Sequence, residues 1–290
     1  MTSLHGGLLG NANTPKAAPT ATEAQLGHRT LISFNRALTH WSGRGALLEG
    51  GGIVLCASGT WIPVVANGAF RSDDSLSGAA LVAAADGFFG GLKRGFAVKV
   101  RDSGEDEDLR RACQEAGLEA FGDPVPEMVC RTPLPDVAPI DGVTLRLVDD
   151  EAGVLEFVSV NAEAYATYGM PPEVLVDVFD DISAVLADAA ASIVVARRGE
   201  RAVATAMVYE SDGVASLQWV GTIPAERGTG LGALVTVAVT NLAFAHGASS
   251  CSLQASPMGA PIYHRLGYET AYHYEEYVRW PKPPARTTDS

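Results

Sequence analysis

The stretch SLQWVGTIPAERGTGLGALVTVAV, residues 216–239, decides the fold of the second half of this 290-residue chain. A strand-like segment ends near Val220, a loop with three alternate glycines follows, and an apolar helix begins directly after the loop. The first N–H groups of a helix have no acceptor within it, and glycines let a ligand approach the backbone closely. A plain turn would not need three alternate glycines, which cost conformational entropy. The loop therefore predicts a site for the diphosphate of a phosphorylated cofactor.

Two common nucleotide-binding folds do not fit this loop. A Rossmann site needs an acidic residue at the end of the next strand, and the chain has no Asp or Glu between Glu226 and Glu269. A P-loop needs Gly-Lys-Ser or Gly-Lys-Thr, and no lysine occurs between Lys99 and Lys282. The same gap excludes a Schiff-base lysine from the part of this half that is expected to fold, residues 141–280.

The pattern around the loop predicts an α/β layer with one twisted mixed sheet. Three strand-like segments separated by short polar turns indicate an antiparallel meander directly before the loop. The predicted strands are residues 143–148, 192–196, 203–209, 215–220, 251–254 and 272–280, and the predicted helices are residues 149–166, 230–246 and 260–266.

A second motif follows the loop in the segment LQASPMGAPIYHRLGYE, residues 253–269. With this motif the chain resembles the GNAT superfamily of N-acetyltransferases, whose acyl-CoA loop reads Arg or Gln, two residues, Gly, one residue, then Gly or Ala. Arg227, Gly230 and Gly232 fit that loop. The second motif of the family has Ala-Ser, a glycine, and a tyrosine four residues before Gly-Phe or Gly-Tyr. The matching residues are Ala255, Ser256, Gly259, Tyr263, Gly267 and Tyr268.

The resemblance implies a binding mode for acetyl-CoA, which would be the co-substrate. The pantetheine arm would lie along the strand edge, and one main-chain amide, that of Val220, would polarise the thioester carbonyl. Tyr263 would protonate the leaving thiolate, and Ser256 would contact the pantetheine or support the loop. The implied cofactor-binding residues are Val220, Gly221, Thr222, Arg227, Gly228, Thr229, Gly230, Leu231, Gly232 and Ser256.

The acceptor is expected to be a small-molecule amine or a protein amino group. It would attack the thioester directly in a ternary complex, and the sequence does not identify the group that takes its proton. The candidate acceptor residues are Glu163, Tyr165, Tyr168 and Glu210. A non-catalytic acyl-CoA sensor or scaffold is the alternative function, because it would share the loop without needing Tyr263.

The first half looks like a faint copy of the second. Its counterpart of the glycine loop is RSDDSLSG, residues 71–78, whose two acids would repel a pyrophosphate. Aligning Gly117 with Gly267 places Cys113 where Tyr263 stands. Strands are predicted at residues 53–56, 61–66 and 96–100 and a helix at residues 76–89. This half is therefore expected to be a degenerate GNAT-like domain without a CoA site.

The expected architecture is a mixed α/β fold of tandem GNAT-like domains, each a twisted and mostly antiparallel sheet flanked by helices. A proline cluster in the middle of the chain marks the domain boundary. The predicted divisions are a disordered tail at residues 1–24, the degenerate domain at 25–132, a Pro-rich linker at 133–140, the catalytic domain at 141–280 and a tail at 281–290.

Composition excludes several classes of function. The formal net charge of −13 repels nucleic acids and anionic membranes, and no stretch reaches the roughly 18 apolar residues of a spanning helix. The start of the chain lacks a secretory signal pattern, so a cytosolic location is expected. The four cysteines lack metal or disulfide spacing, so we expect buried thiols and no metal. The sequence is compatible with a homodimer and does not determine the oligomeric state.

Overall fold

The computed structural model describes residues 21–281. The predicted tails at residues 1–24 and 281–290 lie outside the described residues, apart from residues 21–24 and Pro281. Residues 21–24 are helical, so the prediction of a disordered tail is wrong for these four residues. They form the first turn of a long helix that covers the centre of the sheet.

The described elements follow one another from that helix to the last strand. In the first half they are α1 (Ala21–Trp41), β1 (Ala46–Gly50), β2 (Ile53–Ala57), α2 (Pro63–Ala66), β3 (Asn67–Arg71), α3 (Gly78–Leu92), β4 (Phe96–Arg101), α4 (Glu107–Glu115), β5 (Glu119–Ala120) and β6 (Val125–Cys130). In the second half they are β7 (Val143–Leu147), α5 (Glu151–Ala166), α6 (Pro172–Val178), α7 (Ile182–Ala187), β8 (Ala191–Arg198), β9 (Arg201–Ser211), β10 (Val214–Thr222), α8 (Leu231–Ala245), β11 (Cys251–Gln254), α9 (Ala260–Leu266) and β12 (Glu269–Arg279).

The mixed α/β fold is confirmed, and the second half follows its predicted order closely. Strands β8, β9 and β10 form the predicted antiparallel meander, and β11 runs parallel to β10. The acidic residues stabilise the N-terminus of α5 as predicted: the Asp150 carboxylate caps the helix by accepting a hydrogen bond from the Gly153 N–H at 2.8 Å. Helix α8 packs on one face of the meander and α5 on the other, so that two apolar clusters enclose it.

One continuous sheet runs through both halves, a feature that the sequence did not predict. The strand order is β1-β2-β3-β4-β12-β6-β11-β10-β9-β8-β7, and β5 also pairs with β12. Each half therefore completes its sheet with a strand from the other: β6 lies between β11 and β12, and β12 lies between β4 and β6. This exchange joins the two halves through paired strands.

The prediction of a strand at residues 61–66 is wrong. This segment forms a loop followed by the short helix α2, and strand β3 begins only at Asn67. Pro63 explains the difference, because its fixed φ angle and missing N–H suit the first turn of a helix and not a ladder of paired strands.

The Pro-rich segment at residues 133–140 is docked on the second half. The Asn241 side chain accepts a hydrogen bond from the Leu134 N–H at 2.7 Å and donates one to the Leu134 carbonyl at 3.0 Å. Leu134 is buried, and Ile140 reaches within 3.6 Å of the Cβ position of Gly230 in the glycine loop. This segment therefore supports α8 and the loop, whereas the sequence predicted a linker with few core contacts.

The first half fills its counterpart of the diphosphate site with its own acids. Asp108 accepts a hydrogen bond from the Gly78 N–H at 2.7 Å, at the start of α3. A Cβ on Gly78 would lie 2.4 Å from the Leu109 Cα, so α4 leaves no space there. Asp106 is buried between Arg71 and Arg101 and accepts hydrogen bonds from both guanidinium groups. Cys113 is also buried.

Helix α1 is fixed on the sheet by a buried histidine. His28 Nε2 lies 3.0 Å from the Arg71 carbonyl oxygen, so this nitrogen carries the proton, and Nδ1 accepts a hydrogen bond from the Tyr274 hydroxyl at 2.8 Å. Both ring nitrogens are thus satisfied in the neutral form. Burial, together with the nearby Arg101 charge, lowers the His28 pKa from 6.5 to about 4.

His28 should make stability depend on pH. Between pH 6.5 and 4 the unfolded chain binds a proton on His28 and the folded chain does not. The free energy of unfolding should therefore fall by about 3 kcal/mol as the pH is lowered from 6.5 to 4. Replacing His28 with Gln, which keeps a donor and an acceptor, should remove that part of the slope. Urea unfolding of both proteins at several pH values measures it, and an unchanged slope in the variant would contradict the assignment.

Candidate active site

A β-bulge near the end of β10 sets the geometry of the site. The pairing with β9 runs from Gln218 opposite Met207 to Gly221 opposite Thr205, so Trp219 and Val220 share one partner position. Trp219 has a φ of 51°, in the left-handed region that a bulky residue rarely adopts. Its ring packs against Tyr165 and Phe179, which fixes this conformation. The bulge takes the Val220 backbone out of the regular ladder.

Gly221 lets the bulge approach helix α5. A Cβ on this residue would lie 2.5 Å from Asn161 Oδ1, so a larger residue requires a shift. Asn161 is fully buried, and its Nδ2 donates to the Phe157 carbonyl at 3.1 Å. The glycine is therefore needed here for close packing.

Strands β10 and β11 separate just before the bulge. Their parallel pairing is confined to Ala215 with Cys251 and Ser216 with Ser252. From that point β10 remains paired with β9, and β11 remains paired with β6 up to Gln254. The gap exposes backbone groups along the edge of β10, where an extended ligand can add like a further strand.

The glycine loop leads from the end of β10 to an open helix start. Gly228 and Gly230 have φ angles of 77° and 90°, which other residues adopt with strain. No side chain caps α8, and residues 228–230 are exposed. The first N–H groups of this 15-residue helix thus point into open space with the positive end of the helix dipole. This is the arrangement that binds a diphosphate.

Arg227 contacts the end of α5. Its Nη2 donates to the Ala164 carbonyl and to Thr167 Oγ1, both at 2.9 Å. The guanidinium therefore ties the loop to the last turn of α5.

Tyr263 stands on α9 beside the gap. Its ring packs edge-on against Tyr268 at 5.9 Å, and a Cβ on Gly259 would lie 2.8 Å from its Cε2 atom. Burial raises the pKa of Tyr263 well above its usual value, as it also does for Tyr165. Both phenols keep their protons at neutral pH.

A cavity of about 230 Å³ lies beside the bulge and Tyr263. Trp219, Val220, Tyr165 and Tyr263 line one side of it. The other side comes mainly from the first half of the chain and from β12. It includes Leu31, Phe34, Asn35, Val65, Lys99 and Glu276. The cavity thus lies between the halves, under α1.

A family model described as an acetyltransferase (GNAT) domain matches residues 137–263. Residues 137–263 carry a GNAT domain. The match includes the bulge, the glycine loop and Tyr263, and it begins inside the docked Pro-rich segment.

Solved structures share the fold over both halves of the GNAT-domain protein. A GCN5-related N-acetyltransferase from Kribbella flavida has a TM-score of 0.64 at 20% identity, covering 89% of this chain and 96% of its own. One from Sphaerobacter thermophilus has a TM-score of 0.55 at 16% identity, covering 92% and 95%. A tandem GNAT protein from the clavulanic acid biosynthesis pathway has a TM-score of 0.57 at 14% identity, covering 92% and 98%. No curated protein sequence matches the chain.

The GNAT domain brings some of the predicted acceptor residues to the cavity and leaves others outside. The Tyr165 hydroxyl lies 3.4 Å from the Val220 carbonyl oxygen. Tyr168 is 51% exposed and does not line the cavity; it packs against Tyr165 and reaches Met258 Sδ at 3.6 Å. Glu163 instead pairs with Arg201 on the surface at 3.2 Å. Glu210 pairs with His246 at 2.8 Å, at the end of β9 far from Gly221.

Ser256 has a local role in the structure. Its Oγ accepts a hydrogen bond from the Gly259 N–H at 3.2 Å and so supports the turn into α9. Its contact with the pantetheine and its support of the glycine loop stay predictions.

Sequence reasoning missed the residues that the first half and β12 bring to the cavity. Lys99 and Glu276 form a nearly buried ion pair across β4 and β12. Each interrupts an otherwise ordinary strand pattern, in FAVKVR and ETAYHYEEYVR. A charged residue on the covered face of a strand could have indicated a buried ion pair. The sequence did not show which strand carries the partner.

No group of three or more His, Cys, Asp or Glu side chains within residues 21–281 could hold a metal ion. In the same range, no helix is long and apolar enough to cross a membrane. All four cysteines are buried, as predicted.

The contact between Gly221 and Asn161 gives a stability test. Gly221→Ala should cost about 1–3 kcal/mol of unfolding free energy, because its Cβ would meet the Asn161 amide. The double variant with Asn161→Ala should lose less than the sum of the two single losses. Gly87→Ala, in open space on α3, is the matched control and should stabilise by roughly 0.5–1 kcal/mol. Strict additivity in urea unfolding would contradict the packing account.

Proposed function

We propose that this protein is an N-acyltransferase that transfers an acetyl group from acetyl-CoA to a primary amine by direct attack in a ternary complex. The observation that carries the proposal is a cavity lined by both the bulged backbone at Val220 and the protonated phenol of Tyr263, on the same strand end from which the glycine loop leads to an uncapped helix start. The acetyltransferase family of the domain supports acyl transfer in general.

The residues present fit the pyrophosphate and the pantetheine arm of acetyl-CoA. The N–H groups of residues 228–232 suit the pyrophosphate, and the free edge of β10 from Val220 to Thr222 suits the amide groups of the pantetheine arm. Arg227 and Ile140 hold the loop in shape from two sides. The thioester supplies an activated acyl group with a good leaving group.

The protein would then stabilise charge at two atoms. The Val220 N–H would donate to the carbonyl oxygen as negative charge develops during attack. The C–N bond forms, the C–S bond breaks, and the Tyr263 hydroxyl gives its proton to the leaving thiolate. The phenolate regains a proton from the nitrogen of the new amide.

A small-molecule amine is the acceptor that we favour. The cavity volume is below the usual range of ligand pockets, and α1 lies over it. A protein amino group would have to enter past α1 and α2. The acidic surface, with a formal net charge of −13, would attract a cationic amine.

Several expectations stay predictions from the sequence. They are the cytosolic location, the absence of nucleic-acid and membrane partners, the absence of a metal and the domain limits at residues 132 and 141. The degenerate character of the first half also stays a prediction, supported by the contact between Asp108 and Gly78.

Tyr263→Phe separates the enzyme from the alternative, a non-catalytic acyl-CoA sensor or scaffold. The variant keeps the ring but loses the proton donor, so kcat should fall by about 100-fold while the Kd for acetyl-CoA stays within about twofold. The measurement is CoA release with a panel of primary amines, beside calorimetric titration with acetyl-CoA.

Tyr168→Phe is the matched control, because Tyr168 is exposed and does not line the cavity; we expect less than a fourfold effect on kcat. Full activity of Tyr263→Phe would remove its assigned role. Binding of acetyl-CoA by the wild-type protein with no amine turned over would favour the sensor.

A further inference from the structure

The proposed reaction needs a group that removes a proton from the acceptor amine. Primary aliphatic amines are cations at neutral pH, and a cation cannot attack a thioester. The two carboxylates that the sequence suggested, Glu163 and Glu210, are paired with Arg201 and His246 away from the cavity. The base must therefore come from another element.

Glu276 is placed for that task. Among the described residues that line the cavity, it is the one that carries a carboxylate. Its side chain is 8% exposed and lies on β12, the strand that the second half inserts into the sheet of the first. Val220 and Tyr263 line the same cavity.

Lys99 fixes the orientation of this carboxylate. It pairs with Glu276 Oε1 from the neighbouring strand β4 and donates a second hydrogen bond to Gln254 Oε1 at 3.0 Å. Its ammonium also lies 5.8 Å from the centroid of the Tyr274 ring. Because Lys99 uses one oxygen of the carboxylate, the other, Oε2, is left for a ligand.

We propose that Glu276 is the base of the reaction: Oε2 accepts a proton from the ammonium form of a small primary amine, directly or through one water molecule. This inference rests on the proposed acyl transfer. The proton moves from nitrogen to Glu276, which leaves a neutral amine and a neutral carboxylic acid beside Lys99. After the C–N bond has formed and the C–S bond has broken, Glu276 returns this proton to solvent.

The surroundings of the cavity contain few other titratable groups. Those that face it are Lys99, Tyr165 and Tyr263, and burial keeps both phenols protonated. Helices α1 and α2 contribute apolar and amide side chains to it. His28 and Glu127 lie in the packed layer between α1 and the sheet, where burial lowers the pKa of His28 and raises that of Glu127 to about 7. Neither lines the cavity.

The test compares Glu276→Gln with the wild-type protein between pH 6 and 9, with saturating acetyl-CoA. The acceptors are butylamine and 2-phenylethylamine, which are cations at pH 7, and methoxyamine, which is neutral there. With the two cationic amines the variant should lose about 100-fold in kcat/KM at pH 7 and recover about tenfold per pH unit, as solvent supplies the neutral amine. With methoxyamine the loss should stay below about threefold.

Glu163→Gln is the matched control, because its carboxylate is exposed and outside the cavity; it should leave both pH profiles unchanged. Lys99→Met/Glu276→Gln removes both charges at similar volume, so it avoids a buried unpaired charge and should show the same difference between amines. An equal loss with cationic and neutral amines in both variants, or no loss in either, would overturn the role of Glu276. Wild-type protein that binds acetyl-CoA but turns over none of these amines would overturn the proposed function as well.

Discussion

The site depends on one break in a hydrogen-bonded ladder, where β10 bulges away from β9 at Trp219 and Val220. A regular strand would use its N–H groups within the sheet, and a regular parallel pair would keep β10 closed against β11. Here the bulge and the separation of the two strands occur within a few residues of each other. The unusual backbone of Trp219 is held by its aromatic neighbours, and the absent Cβ of Gly221 makes room for α5. Backbone groups that would otherwise form hydrogen bonds within the sheet are thus available to a ligand.

Because the two halves exchange strands, the first half contributes residues to the cavity of the second. Its own helix start at Gly78 is occupied by Asp108, and α4 packs against it. In return, it contributes α1, α2 and Lys99 to the cavity beside the GNAT domain, while the second half inserts β12 between β4 and β6. A chain cut at the Pro-rich segment would therefore lose strand pairing on both sides of the cut.

Local patterns made much of the second half predictable. The glycine loop, the alternation in β7 to β10 and the tyrosine before Gly267 are all short-range features, and each lies where it was expected. The partners of Arg227 and the pairing of Lys99 with Glu276 were not predictable, because they join residues 60 and 177 positions apart in the chain. Helix α1 was not predicted, and the residues that it docks against are distant in the chain. Phe34 and Trp41 pack into a core cluster of the second half, and the partners of His28 come from β3 and β12.

The most direct measurement is a crystal structure of the protein with acetyl-CoA. The thioester carbonyl should lie within hydrogen-bond distance of the Val220 N–H, with the pyrophosphate on the backbone of residues 228–232 and the sulfur facing Tyr263. A cofactor bound elsewhere, or a β10 edge that closes onto β11 when the ligand is present, would contradict the account.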